Sequence, residues 1–198
     1  MNSPAHRYSL VAIILHWTIA ALIVWNVLIG WNADELRGLA RAQALQPHKT
    51  IGITVLLLTL TRLAWRLVMK PPPMPGMLAP WERRLAGTVH GLFYVVLVGL
   101  PLSGWAMVSA SELIGVYPIR LGPVVWPAIA PLSELPHDLQ HDVHERLEVV
   151  HDLLGKAMIY VLVPLHVAGA LKHQFFDKAD ELRRMIPFWP RRRAEGAE

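Results

Sequence analysis

Residues 151–176 read HDLLGKAMIYVLVPLHVAGALKHQFF, and the reading of this stretch decides the fold. A helix crosses a bilayer core with about 20 mostly apolar residues, and this segment meets that length. It nevertheless carries His151, His166 and His173, with Pro164 between the first two. An ionisable side chain at membrane depth is costly to leave unpaired, so each such residue marks a functional position by default. The stretch is expected to be a transmembrane helix whose imidazoles face other helices.

Three further segments have the same character, residues 9–31, 48–68 and 85–110. The expected fold is all-α, an integral membrane four-helix bundle in which residues 1–198 form a single transmembrane unit. Pro71, Pro72 and Pro73 stop the second helix, because proline lacks the amide donor and clashes with the preceding turn. Gly30, Gly52, Gly99, Gly104, Gly155 and Gly169 lie in or beside the spans, where small residues let helices approach. Residues 111–136 hold four prolines besides Pro136, with Tyr117 and Trp126 as interfacial anchors, and are expected to fold over the outer mouth of the bundle. Asp138 to Val150 reads as a polar helix leading into the fourth span. Its His137, His141 and His144, with His151, recur at helical spacing, which reads as a solvated face; a zinc site is the alternative.

Composition agrees with a bilayer environment. The chain is 54% hydrophobic and 17% charged, with a mean hydropathy of +0.35, whereas a soluble domain carries about 25% charged residues. Cysteine is absent, which excludes disulfides, iron–sulfur clusters, thiolate-ligated haem and covalent haem attachment. The net charge of +4 does not point to nucleic acid, because the basic residues flank the apolar segments. Thirteen of the 19 lysine and arginine residues fall at the N-terminus, the second-to-third connection and the C-terminus, which predicts that both termini are cytoplasmic. The apolar run from Ser9 to Trp31 exceeds a signal-peptide core and contains His16, so it reads as a retained span.

Six histidines fall in the spans: His16, His48, His90, His151, His166 and His173. His16 lies two turns in from the start of the first span, and His48 at the outer start of the second. His151 and His166 are about 22 Å apart along a helix axis. Depth therefore pairs His48 with His151 near the outer face, and His16 with His166 near the inner one. Facing histidines in a bundle core form a cofactor cage. Two imidazoles with neither cysteine nor carboxylate suit six-coordinate haem iron better than zinc or a di-iron centre. Fifteen residues leave His166 about 60° off the face of His151 on a regular helix. A single wide turn near Pro164 would absorb the extra residue and re-aim His166.

These residues resemble the bacterial cytochrome b561 family of small four-helix dihaem cytochromes. The resemblance covers nearly the whole chain. It rests on Arg7-Tyr8 before His16-Trp17, on His48-Lys49-Thr50-Ile51-Gly52, and on the run from Thr61 to Arg66 before the triple proline. His90-Gly91-Leu92-Phe93-Tyr94, the ending from His166 to His173, and the tail from Asp177 to Pro187 belong to it as well. It implies that His16, His48, His151 and His166 are the axial ligands of two haem b groups. Members usually separate the last two ligands by fourteen residues, and this chain by fifteen. It further implies quinone chemistry at the bacterial inner membrane, and in one type the oxidation of superoxide with ubiquinone as acceptor. Other relatives exchange electrons with partner proteins.

The remaining candidates support that site. His90 and His173, both toward the cytoplasmic side, would hydrogen-bond haem propionates or protonate a quinone, or else serve as polar contacts between helices. Arg62 and Arg66 act as positive-inside anchors and are suited to propionates. Lys49 would do the same at the outer level, or attract an anion such as superoxide. Trp17, Trp25, Trp31, Trp65 and Trp105 read as interfacial anchors. Three functions compete: an oxidoreductase acting on superoxide or quinone, a non-enzymatic electron-transfer subunit that docks a redox protein, and a proton-relaying transporter. The near absence of Asp and Glu from the spans disfavours the transporter.

Overall fold

Ser9 opens the first helix. Its Oγ accepts the Ala12 N–H at 3.3 Å, capping α1 (Leu10–Asp34), and the Trp65 indole N–H at 2.9 Å. One hydroxyl thus caps a helix and fastens it to the end of another. In this computed structural model, which describes residues 7–73, 78–179 and 181–186, a short α2 (Gly38–Ala44) leads into α3 (Gln46–Val68). Gly38, at φ +56°, makes the turn into α2. Pro47 sits in the first turn of α3, where its missing N–H costs nothing. The helix ends just before Pro71.

α4 (Pro80–Ser109) is tied at its start by Glu82, whose carboxylate accepts the Ala79 N–H at 2.9 Å. It continues through Pro101, which leaves the Leu97 carbonyl without its usual donor. The connection that follows is ordered. A two-stranded hairpin, β1 (Arg120–Leu121) with β2 (Val124–Val125), turns at Gly122, at φ +60°. One short turn, α5 (Ala130–Ser133), completes it. Ile119 is buried against Ile53 and Val108, with Trp105 and Trp126 packed beside them. The loop covers the end of the bundle, as expected, because its apolar residues seal against α3 and α4.

The fourth span is longer than its apolar core. α6 (His137–Ala157), a π turn (Met158–Leu162) and α7 (Val163–Phe175) run as one helix of 39 residues, so the polar segment and the span are continuous. α8 (Glu181–Met185) follows. Among the described residues, four helices are long and apolar enough to cross a membrane, making this an all-α membrane bundle. Only 11% of the most apolar window of α1 is buried, so its side chains mostly face outward, as a lipid environment requires.

Both described ends of the chain lie together. Arg7 donates to the carbonyls of Arg183 and Ile186, and the Trp17 indole donates to the Met185 carbonyl at 2.8 Å. Arg184 reaches the Pro73 carbonyl at 2.9 Å. This is the terminal end of the bundle; the hairpin marks the opposite, loop end. Between them Val96, Met158 and Leu162 are buried with Ile23, Phe93 and Leu154 against them, a layer built partly by the π turn.

Candidate haem site

The bundle brings two histidine pairs together, one toward each end. At the loop end, His48 on α3 faces His151 on α6, with ring centres 6.1 Å apart. Toward the terminal end, His16 on α1 faces His166 on α7, also at 6.1 Å. Two metal–imidazole bonds of about 2 Å place the ligating nitrogens about 4 Å apart and the ring centres roughly 2 Å further. Both separations match that requirement.

Hydrogen bonds select the nitrogen that each ring at the loop end presents. His48 Nδ1 lies 3.0 Å from the Asn26 carbonyl, and His151 Nδ1 lies 3.0 Å from the Leu100 carbonyl. A carbonyl can only accept, so Nδ1 carries the proton and Nε2 keeps its lone pair for a metal. Ser103, whose hydroxyl is 3.1 Å from the same Nδ1, donates to Leu100 as well. Glycines shape the seats. A Cβ on Gly104 would fall 2.9 Å from His151 Cε1, and one on Gly30 3.5 Å from that of His48. Gly99 and Gly155 face Leu154 and Leu100, in the helix-packing role expected of them. Gly30 and Gly104 instead admit imidazoles, and nothing lies within 4 Å of a Cβ at Gly169.

The π turn accounts for the spacing of the fourth helix. The Val163 N–H donates to the Met158 carbonyl, five residues back instead of four. The turn takes up one residue between His151 and His166, and Pro164 enters α7 in its first turn. Both rings therefore face the interior.

The bundle interior also holds polar atoms that have no partner among the described residues. Thr59 is fully buried, yet its hydroxyl makes no hydrogen bond, whereas those of Thr50, Thr54 and Thr61 each bond the carbonyl one turn back. Asn26 Oδ1 is buried without a partner too. Thr59, Arg62 and Arg66 lie within about 40° of the His48 direction on α3. A large group with polar edges suits such an interior, and the donor set fits haem. Among the described residues, the three metal-ligating groups close enough together to hold an ion are Glu82, His173 and Asp177, which include neither facing pair.

His90 packs on His166, ring centres 5.4 Å apart, with Phe93 at 5.3 Å on the same ring. This ring-to-ring contact is closer than the two facing pairs. Arg62 reaches the Ala12 carbonyl at 3.5 Å, and Arg66 lies over the Tyr94 ring, 5.8 Å from its centre. Lys49 donates to the Tyr117 carbonyl at 3.0 Å, so the loop holds it beside His48. His173 is bound to Asp177 at 2.7 Å. The polar face of α6 does not gather a zinc site. Exposed His137 and His141 approach Glu112 and Glu145, each at 3.3 Å, and His144 Nδ1 contacts the Met107 carbonyl at 2.9 Å. Reasoning from sequence missed Asn26, Leu100, Ser103 and Asp177; only the acidic residue four positions after His173 left a signal.

Comparison with known proteins agrees with this geometry. The profile of the family described as prokaryotic cytochrome b561 matches residues 7–188. A probable superoxide oxidase CybB of Yersinia pestis is 28% identical over 186 residues, covering 91% of this chain and 96% of that protein. Cytochrome b561 homolog 2 of Escherichia coli is 29% identical over 93% of both chains. A cytochrome b562 of Cereibacter sphaeroides is 26% identical over 90% of this chain and 94% of its own. With facing imidazoles in an apolar bundle and a profile that runs almost end to end, the chain belongs to the prokaryotic cytochrome b561 family, bacterial membrane cytochromes that bind b-type haem for electron transfer.

Proposed function

We propose that the chain is a dihaem b-type cytochrome of the bacterial inner membrane, with both termini in the cytoplasm, that oxidises superoxide at the loop end and reduces ubiquinone at the terminal end. The observation that carries this reading is the pair of 6.1 Å histidine separations, one toward each end of the bundle. Haem iron, when bound, accepts and passes on single electrons without making or breaking other bonds. His48 and His151 would hold one group, and His16 and His166 the other, with Arg62, Arg66 and Lys49 placed for anionic edges.

The two ends differ in what they offer a reactant. At the loop end, Lys49 is held by a carbonyl, so its charge is not cancelled there by a carboxylate. Exposed Arg120, on the hairpin, adds a second cation. An anion such as superoxide is drawn by local charge of this kind. Two superoxide ions each lose one electron and leave as dioxygen; ubiquinone gains both electrons and two protons. A doubly reduced quinone without protons is very unfavourable in low dielectric, so its site needs a proton donor. His173 supplies that group at the terminal end.

Delivering superoxide to the purified holoprotein, then adding ubiquinone, tests the reading. Rapid haem reduction followed by quinone-dependent reoxidation is expected. Haem that superoxide cannot reduce would instead favour a subunit that docks a redox partner. A C-terminal reporter that folds only in the periplasm should stay inactive; strong activity would reverse the orientation.

A further inference from the structure

His173 lies seven residues after His166, about 20° from its direction on the helix, so it shares the inward face of α7. Its side chain is 14% exposed. Nδ1 is 2.7 Å from Asp177 Oδ2, and a carboxylate only accepts, so Nδ1 carries the proton. Nε2 remains as the nitrogen available to a partner in the interior.

The carboxylate is itself held. Asp177 Oδ2 also accepts from Lys172 Nζ at 2.7 Å, and Lys172 reaches Glu82 Oε1 at 2.7 Å. Glu82 is 13% exposed and fixed by the Ala79 N–H. A chain of charge therefore runs from the start of α4 through Lys172 to Asp177 and His173. Glu82, His173 and Asp177 could hold a metal ion, but Lys172 already places a positive charge against both carboxylates.

We propose that Asp177 is the positioning residue for proton delivery to the quinone: it fixes His173 so that Nε2–H protonates a quinone oxygen, while Lys172 and Glu82 fix the carboxylate. This rests on the terminal end being the quinone site. Reduction to quinol takes two electrons and two protons. One proton passes from Nε2 of the imidazolium, leaving a neutral ring with Nδ1–H still on Asp177, and the ring regains it from the adjoining solution. The second proton reaches the other oxygen from the same solution.

The test uses full-length holoprotein in lipid nanodiscs, with Asp177→Asn, Asp177→Glu and His173→Gln variants. Haem content and reduction potentials should match the wild type in all three. Quinone-dependent reoxidation should slow roughly ten- to a hundredfold in Asp177→Asn, through kcat with KM nearly unchanged, and the solvent deuterium isotope effect should rise. Asp177→Glu should recover most of the rate, and His173→Gln should be no faster than Asp177→Asn. Wild-type kinetics and isotope effect in Asp177→Asn, or a change confined to KM, would overturn the proposal while leaving the quinone reading intact. Wild-type protein that quinone does not reoxidise would overturn both. Loss of haem in Asp177→Asn and Asp177→Glu alike would show a structural role and overturn the positioning role alone.

Discussion

The imidazole of His151 occupies the space that a side chain on Gly104 would fill. An added Cβ would lie 2.9 Å from Cε1, closer than real side-chain contacts, and a tight 3.2 Å from Nδ1, so the ring would have to move. Moving it breaks the Nδ1 bond to the Leu100 carbonyl that directs Nε2 inward. Overpacking of this kind typically costs about 1–3 kcal/mol. We predict that Gly104→Ala loses most of the haem at the loop end, measured as haem per chain. Gly30→Ala, whose Cβ would meet His48 at an ordinary 3.5 Å, should keep it. Equal haem content in the two variants would contradict the seat described for His151.

The π turn makes a different prediction. It takes up one residue between His151 and His166, and Tyr160 within it is 65% exposed. Deleting Tyr160 together with Pro164→Ala should give an uninterrupted α-helix with both rings still directed inward. Both haems should be retained, with visible spectra close to the wild type. Loss of the haem bound by His166 would mean that the bulge does more than correct register.

Much of this arrangement was legible in the sequence because it rests on length and depth. Apolar runs locate helices whose outward faces need no partner, and depth along those helices groups His16 with His166 and His48 with His151. The seats were not legible. Gly104 was indistinguishable from Gly99, because what either faces is set by a residue about fifty positions away and not by any local period. The zinc alternative on α6 had the right spacing, but neighbouring carboxylates and the Met107 carbonyl engage those rings. Asp177 lies beyond the last span, where apolar patterning gives no information.

Asp177 also sets a pH dependence. Its hydrogen bond from Lys172, and then that from His173, hold its carboxyl below the ordinary carboxylate range. A carboxyl depressed in the folded state stabilises above its unfolded pKa and loses that contribution as pH falls through the folded value. Hydrogen exchange in residues 172–179 should therefore accelerate on acidification below the usual carboxylate range. In Asp177→Asn it should be fast already at neutral pH and change little with acid. An acid transition that persists unchanged in the variant would assign it to another group.

The central claim is that each facing histidine pair holds its own haem. Haem count and reduced-minus-oxidised spectra of the wild type and of single His16→Ala, His48→Ala, His90→Ala, His151→Ala and His166→Ala variants test it most directly. The account predicts two haems b per chain. His48→Ala and His151→Ala should remove the same spectral component, His16→Ala and His166→Ala the other, and His90→Ala neither. A single haem in fresh wild-type protein, or loss of the same component in His16→Ala and His48→Ala, would contradict it.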